Sequence, residues 1–170
     1  MRRAELSDLV IGFMASRPTD FYDSGMSRVL VTGMSGVGKS TLLEGLAARG
    51  HPVVDTDYDG WVLQDGRWDE PRMHDLLEHE GSVVVSGTVE NQVKFYGSFD
   101  HVVLLSAPLQ TLLERVTARN SNPYGTRAED REEIARYLDT VEPLLRRGAT
   151  LELDGRADPV SLISAVESLL

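Results

Sequence analysis

A glycine-rich nonapeptide, Gly33-Met34-Ser35-Gly36-Val37-Gly38-Lys39-Ser40-Thr41, decides most of what this chain can become. The β-branched run Val29-Leu30-Val31 precedes it. Leu42, Leu43, Leu46 and Ala47 follow at helical spacing, and Gly50 is a natural helix stop. A strand, a glycine turn and a helix thus surround a complete Walker A pattern, the P-loop. The glycines let backbone N–H groups turn inward against phosphate oxygens, and the positive end of the helix points at the same anion. Gly33, Ser35, Gly36, Val37, Gly38, Lys39, Ser40 and Thr41 are therefore the candidate nucleotide-binding residues. Lys39 brings a full charge to the outer phosphates, and Ser40 can ligate Mg²⁺. The motif implies a nucleoside triphosphate site and leaves the fate of the γ-phosphate open.

The rest of the chain alternates strand and helix patterns. Pro52-Val53-Val54 reads as a second strand ending at Asp55-Thr56-Asp57, and Tyr58 to Trp68 as irregular. Asp69 is placed to cap a helix carrying Met73, Leu76 and Leu77 on one face. Ser82-Val83-Val84-Val85-Ser86 is a strand apolar enough to be covered on both faces. A weak helix over Glu90–Tyr96, a strand over His101–Leu105 and a helix over Pro108–Arg119 follow. Thr126 and Glu129 fit a capping box. One helix carrying Ile134, Leu138, Val141 and Leu145 then leads to a strand over Thr150–Leu153 and a last helix opened by Asp158-Pro159. Strands alternating with helices argue for a parallel sheet covered on both faces.

Residues 3–15 read as a separate helix with an apolar stripe of Leu6, Leu9, Val10, Phe13 and Met14. Residues 16–26 are rich in turn formers. The expected organisation is a helix and connector over residues 1–25 and one domain over 26–170. The stripe calls for a cover, supplied by the domain or by a second copy in a homodimer.

Composition narrows the function classes. The chain has no cysteine, which removes thiol catalysis and thiolate metal sites. Its formal net charge is −10, which disfavours nucleic acid and anionic lipid as partners. The start lacks the apolar core of a signal peptide, so a cytoplasmic protein is expected.

Residues 28–170 resemble the small P-loop kinases of metabolites and nucleotides, with shikimate kinase nearest in layout. The loop GMSGVGKST is similar to that of gluconate kinases, and Asp55-Thr56-Asp57 matches the Asp-x-Asp that ends the second strand in the shikimate-kinase-like pattern. The resemblance implies a three-layer α/β/α fold with a five-stranded parallel sheet in order 2-3-1-4-5, closed by a lid. It also implies ATP and Mg²⁺ as cofactors. By chemistry alone, two carboxylates at i and i+2 past a strand can divide their work, one near Mg²⁺ and one accepting the proton of an acceptor hydroxyl. The resemblance assigns Asp55 to the metal and Asp57 to the acceptor.

Arg115 and Arg119 lie four apart on the helix before the six-residue insert Asn120–Gly125. Arg127 and Arg131 lie four apart after it. In these kinases, arginines at the edges of a lid neutralise the transferring phosphate, and a guanidinium suits that geometry better than lysine. Arg115 and Arg119 match the arginines leading into the lid, with Arg115 also on the nucleotide. Leu153-Asp154-Gly155-Arg156, followed by Pro159, resembles the stretch where the group places adenine.

The acceptor end departs from shikimate kinases. Two arginines hold the substrate carboxylate there. Here Asp69 and Glu70 follow Trp68 in one place, Val141 stands in the other, and Ser86-Gly87-Thr88 replaces a triple glycine. Shikimate is therefore not the expected acceptor. Either tryptophan taken singly is more expected to pack at the edge of the small helical lobe, but Asp57, Asp59, Trp61, Trp68, Thr88, Glu90, Asn91 and Gln92 could all face the crevice. They suit a neutral or cationic polyhydroxylated molecule, a nucleoside or a sugar-like antibiotic. A nucleoside monophosphate would need a cation, and Arg72 is the local candidate.

The leading expectation is an ATP-dependent phosphotransferase acting on a hydroxyl of a small polar molecule. Lys39, Arg115 and Arg119 would stabilise charge, Ser40 and Asp55 would place Mg²⁺, and Asp57 would be the base. The alternatives are a nucleoside monophosphate kinase and a nucleotide-binding switch. Against the switch, the chain carries no Asn-Lys-x-Asp guanine motif and no clear sensor-threonine loop.

Overall fold

The computed structural model describes residues 26–120 and 123–170. The expected helix at 3–15, its connector and its dimer contact lie outside them, as do two residues of the lid.

Five parallel strands form one sheet in the order β2-β3-β1-β4-β5. They are β1 (Arg28–Thr32), β2 (Val53–Asp55), β3 (Val83–Ser86), β4 (His101–Ser106) and β5 (Leu151–Asp154). The helices are α1 (Lys39–Ala48), α2 (Glu70–His79), α3 (Leu109–Ala118), α4 (Ala128–Thr140), α5 (Glu142–Gly148) and α6 (Pro159–Glu167), with a 3₁₀ helix over Glu90–Ser98. The three-layer architecture and strand order expected from the sequence are both present. The period-two alternation of β1 feeds two cores. Val29 and Val31 join Leu43, Leu46, Leu112 and Val166 on one face of the sheet, while Leu30 joins Trp68, Met73, Phe95 and Val102 on the other. The central strands are buried because parallel crossovers place helices on both sides.

Three local expectations are corrected. The helix after the lid is two helices, because Pro143 lacks an N–H and its ring excludes a continuous turn; the chain breaks at Val141. The Thr126–Glu129 capping box does not form. Thr126 Oγ1 donates to Pro123 O at 2.7 Å, and the Asp130 carboxylate accepts from Gly125 N at 3.1 Å and Arg127 N at 3.3 Å instead. The stretch Tyr58–Trp68 is more ordered than its composition suggests. Val62 and Trp68 form an antiparallel bridge, and Asp69 N donates to Trp61 O at 2.9 Å. The Asp69 cap is as expected, accepting from Arg72 N at 3.2 Å. No described helix is long and apolar enough to cross a membrane.

A glycine inside a helix costs about 1 kcal/mol against alanine, yet Gly45 sits mid-way along α1. Its site explains it, since a Cβ there would run into the Ile163 side chain of α6. Contact, not helix propensity, decides the outcome: Gly45→Ala should lower stability by about 1–3 kcal/mol in urea unfolding. Adding Ile163→Val should recover part of that loss.

Candidate active site

The P-loop crosses from the end of β1 to the start of α1. Gly38 caps α1 in a left-handed conformation, φ 110°, with no side-chain hydrogen bond to the first turn and no acid within it. The first-turn N–H groups are thus left to an anion. Gly36, at φ 85°, runs so near α3 that a Cβ would lie 2.8 Å from Leu112 O. Lys39 lies across the loop, its Nζ donating to Gly33 O at 2.7 Å and Met34 O at 3.3 Å. Burial pushes the Lys39 ammonium below its ordinary pKa; the carboxylates of Asp57 and Asp55 pull it back up, and Arg119 opposes them.

The two aspartates leave β2 on either side of Thr56. That threonine is buried, donates to Ser86 O at 2.7 Å and accepts from Trp68 Nε1 at 2.9 Å. With Thr56 pinned inward, Asp57 is turned to the crevice at the carboxyl end of the sheet and Asp55 to Ser40 of α1. Ser40 Oγ donates to Asp55 Oδ2 at 2.7 Å. A hydroxyl and a carboxylate so paired are hard oxygen donors of the kind Mg²⁺ takes alongside phosphate oxygens and water. Among the described residues no group of three or more acidic or histidine ligands forms a cage for a metal, so an ion at Ser40 and Asp55 would depend on the phosphates as well. The Asp57 side chain accepts no hydrogen bond from the described residues, while its backbone N–H donates to Asp55 Oδ1 at 3.2 Å.

The arginines divide their roles. Arg115 Nη1 donates to Val37 O at 3.1 Å and to Gly155 O at 2.9 Å, tying the P-loop to the turn after β5. It braces the nucleotide cavity through backbone carbonyls. Arg119 Nη2 donates to Ser35 Oγ at 3.1 Å and to Tyr124 O at 2.8 Å, joining loop to lid. Its Nε is buried with no partner. An orphaned guanidinium N–H is costly, and the Arg119 side chain lines the cavity beside the loop. Arg131 Nη1 donates to Thr126 O at 2.8 Å and braces the end of the lid. Arg127 is exposed, and neither it nor Arg131 lines the described cavities.

Two cavities meet at this point. One, about 690 Å³, runs over Gly36 to Thr41 and reaches Arg115, Arg119 and the segment Gly155–Pro159. The stretch expected near adenine therefore lines it. The other, about 600 Å³, lies under the 3₁₀ helix and α4–α5. Ser35, Lys39 and Asp57 line both.

The second cavity differs from the expected crevice. Asp57, Thr88, Glu90 and Gln92 line it as expected, but Asp59, Trp61, Trp68 and Asn91 do not. Trp68 and Asn91 are buried together: Asn91 Oδ1 accepts from Trp68 N at 2.9 Å, and its Nδ2 donates to Trp68 O at 3.1 Å. Trp61 is covered by Arg72, whose guanidinium carbon sits 3.8 Å from the ring centroid while Nη1 donates to Asp59 O at 2.8 Å. In their place stand Met34, Val62, Tyr96, Tyr124, Tyr137, Val141 and Leu144. No single pattern in the sequence marks this set, because it comes from five separate segments joined only by the fold.

A family model described as AAA domain matches residues 29–136, from β1 into α4. The chain belongs to that family. Curated protein sequences offer no match. Among solved structures, shikimate kinase from Bacteroides thetaiotaomicron is similar at 19% identity and TM-score 0.64, covering 85% of this chain and 98% of its own. Shikimate kinase from Acinetobacter baumannii in complex with shikimate is similar at 19% identity and TM-score 0.65, covering 85% and 92%. A gluconokinase from Sinorhizobium meliloti is similar at 22% identity and TM-score 0.58, covering 84% and 89%. The fold of this AAA-domain protein is thus the fold of small P-loop kinases.

Gly87 shows how tightly the aspartates are held. A Cβ there would strike Thr56 Oγ1 and come within 3.0 Å of the Trp68 ring. Gly87→Ala should therefore destabilise the protein by about 1–3 kcal/mol and change the near-ultraviolet circular dichroism of Trp68. Wild-type stability with an unaltered tryptophan signal would contradict this packing.

Proposed function

We propose that this protein is an ATP-dependent phosphotransferase that moves the γ-phosphate of ATP to a hydroxyl of a small molecule. The observation that carries the reading is the place of Asp57. It lines both cavities, within electrostatic reach of Lys39, and its carboxylate accepts no hydrogen bond from the described residues. One cavity suits a triphosphate and the other a separate acceptor.

The P-loop N–H groups, Lys39 and Arg119 would bind and orient the phosphate chain. Ser40 and Asp55 would hold Mg²⁺, which, when bound, draws charge from the phosphate oxygens. The acceptor oxygen attacks the γ-phosphorus and its proton passes to the Asp57 carboxylate. The bond from the γ-phosphorus to the bridging oxygen breaks, and ADP leaves with that oxygen. Positioning and charge neutralisation supply most of the acceleration. A nucleoside monophosphate acceptor is less well supported, because Arg72, the cation its phosphate would call on, is held by Trp61 and Asp59.

Lys39→Ala should abolish ADP release. Asp57→Asn should leave ATP affinity nearly unchanged in calorimetric titration while lowering transfer by about 10²–10⁴-fold. Full transfer by Asp57→Asn would remove the aspartate from its role as base. ATP binding with no acceptor-stimulated ADP release, across nucleosides, sugars and amino alcohols, would count against the phosphotransferase.

A further inference from the structure

The second cavity holds more information about the acceptor than its size. Its polar groups are mostly engaged within the protein. Thr88 Oγ1 donates to Gly33 O at 2.8 Å and lies 3.1 Å from Thr32 Oγ1. Gln92 accepts from Val89 N at 3.0 Å and donates to Thr32 Oγ1 at 3.2 Å and to the Tyr96 hydroxyl at 2.9 Å. The hydroxyls of Tyr124 and Tyr137 donate to the two oxygens of Glu133, at 2.7 and 3.1 Å. Three tyrosines line this cavity, yet their hydroxyls are tied into the protein, so what they offer an occupant is chiefly ring carbon. Val62, Val141 and Leu144 extend the same apolar wall.

Charge narrows the choice further. Lys39 is the one cation lining the cavity among the described residues, and it lies on the phosphate loop. The acids are Asp57 and Glu90, the latter only loosely paired with Arg67 at 3.5 Å. A carboxylate or phosphate on the acceptor would meet two acids and no arginine. A sugar acid or free polyol would leave many hydroxyls against ring and aliphatic carbon, where each unpaired hydroxyl carries a desolvation cost.

We propose that the acceptor is an amphipathic alcohol: a neutral or ammonium-bearing molecule with an aromatic or branched aliphatic body and a hydroxyl presented to Asp57. This deepens the phosphotransferase reading and rests on it. The body lies against Tyr96, Tyr137 and Val141, and an ammonium group, where present, faces Glu90.

The test uses the full chain with ADP and Mg²⁺ and a set of hydroxyl-bearing probes: phenylalaninol (cationic, aromatic), N-acetylphenylalaninol (neutral, aromatic), 3-phenyllactate (anionic, aromatic), sorbitol, gluconate and shikimate. Affinity is read by calorimetry, and transfer by ADP release in a parallel series with ATP. The two aromatic alcohols without negative charge should bind at least tenfold more tightly than 3-phenyllactate, gluconate or sorbitol. Tyr96→Ala should weaken them at least fivefold while leaving ADP affinity unchanged. Val141→Arg should reverse the ranking in favour of 3-phenyllactate.

Equal or tighter binding of the anionic or polyol probes overturns the inference. So does the absence of binding by both aromatic alcohols, or their indifference to Tyr96→Ala. The outcomes also separate the two claims. Aromatic alcohols that bind without any transfer leave the cavity assignment standing and remove the phosphotransferase. Transfer to gluconate or shikimate alone leaves the phosphotransferase standing and removes this acceptor class.

Discussion

The positive end of α1 is left open at the carboxyl edge of a parallel sheet, and the molecule is arranged around that end. Gly38 caps the helix without a side-chain bond, so the first-turn donors await an anion. Neighbouring contacts hold the position. Ser40 ties α1 to the end of β2 through Asp55, and Arg115 ties the P-loop to the turn after β5. Gly36 lies against α3. The end of β2, the turn after β5 and α3 are thereby held around the P-loop.

The arginines explain why the two cavities differ so much. Arg72 stacks on Trp61, Arg131 braces the lid and Arg146 bridges Glu142 and Glu152 at 2.7 and 2.8 Å. Arg119 remains beside the loop with a buried N–H lacking a partner, and Arg115 frames the same cavity. Cationic side chains thus collect at the P-loop cavity, while the second cavity keeps Lys39 at its edge and carbon along its walls. A chain with net charge −10 can still hold a polyanion, because the field at the site is set by a few nearby groups rather than by the whole surface.

The P-loop half of the site was legible in the sequence and the second cavity was not. The P-loop, Asp55-Thr56-Asp57 and the Arg115/Arg119 pair are short patterns whose chemistry sits within a few residues, and the structure brings them together. The five strands announced themselves by apolar runs, and their order follows the shikimate-kinase-like layout. The wall of that cavity is assembled from the hairpin at Val62, the 3₁₀ helix, the lid and α4–α5, so no window of sequence contains it. Asn91 was misread for a related reason, whereas both tryptophans take the packing role that was the stronger reading for each alone. Aromatic and amide side chains suit a ligand, but they equally suit burial once partners are present. Trp68 finds Thr56 and the Asn91 amide, and both turn into the core. Pro143 was a local signal that the apolar spacing through Leu145 obscured; it breaks the helix and lets Val141 and Leu144 reach the cavity.

Arg119 places the two halves in one mechanical unit. One guanidinium nitrogen holds Ser35, which lines both cavities, and the carbonyl of Tyr124, whose residue lines the acceptor cavity. The Tyr124 hydroxyl continues the chain to Glu133 on α4, whose other oxygen takes Tyr137. Arg119 therefore joins a residue shared by both cavities to the tyrosine wall of the second. The described lid backbone at Tyr124 is tied to that same arginine, so the two cavities are coupled through contacts already in place. Linkage makes that coupling reciprocal: whatever an occupied nucleotide cavity does to the tyrosine wall, an occupied wall does to nucleotide affinity by the same factor.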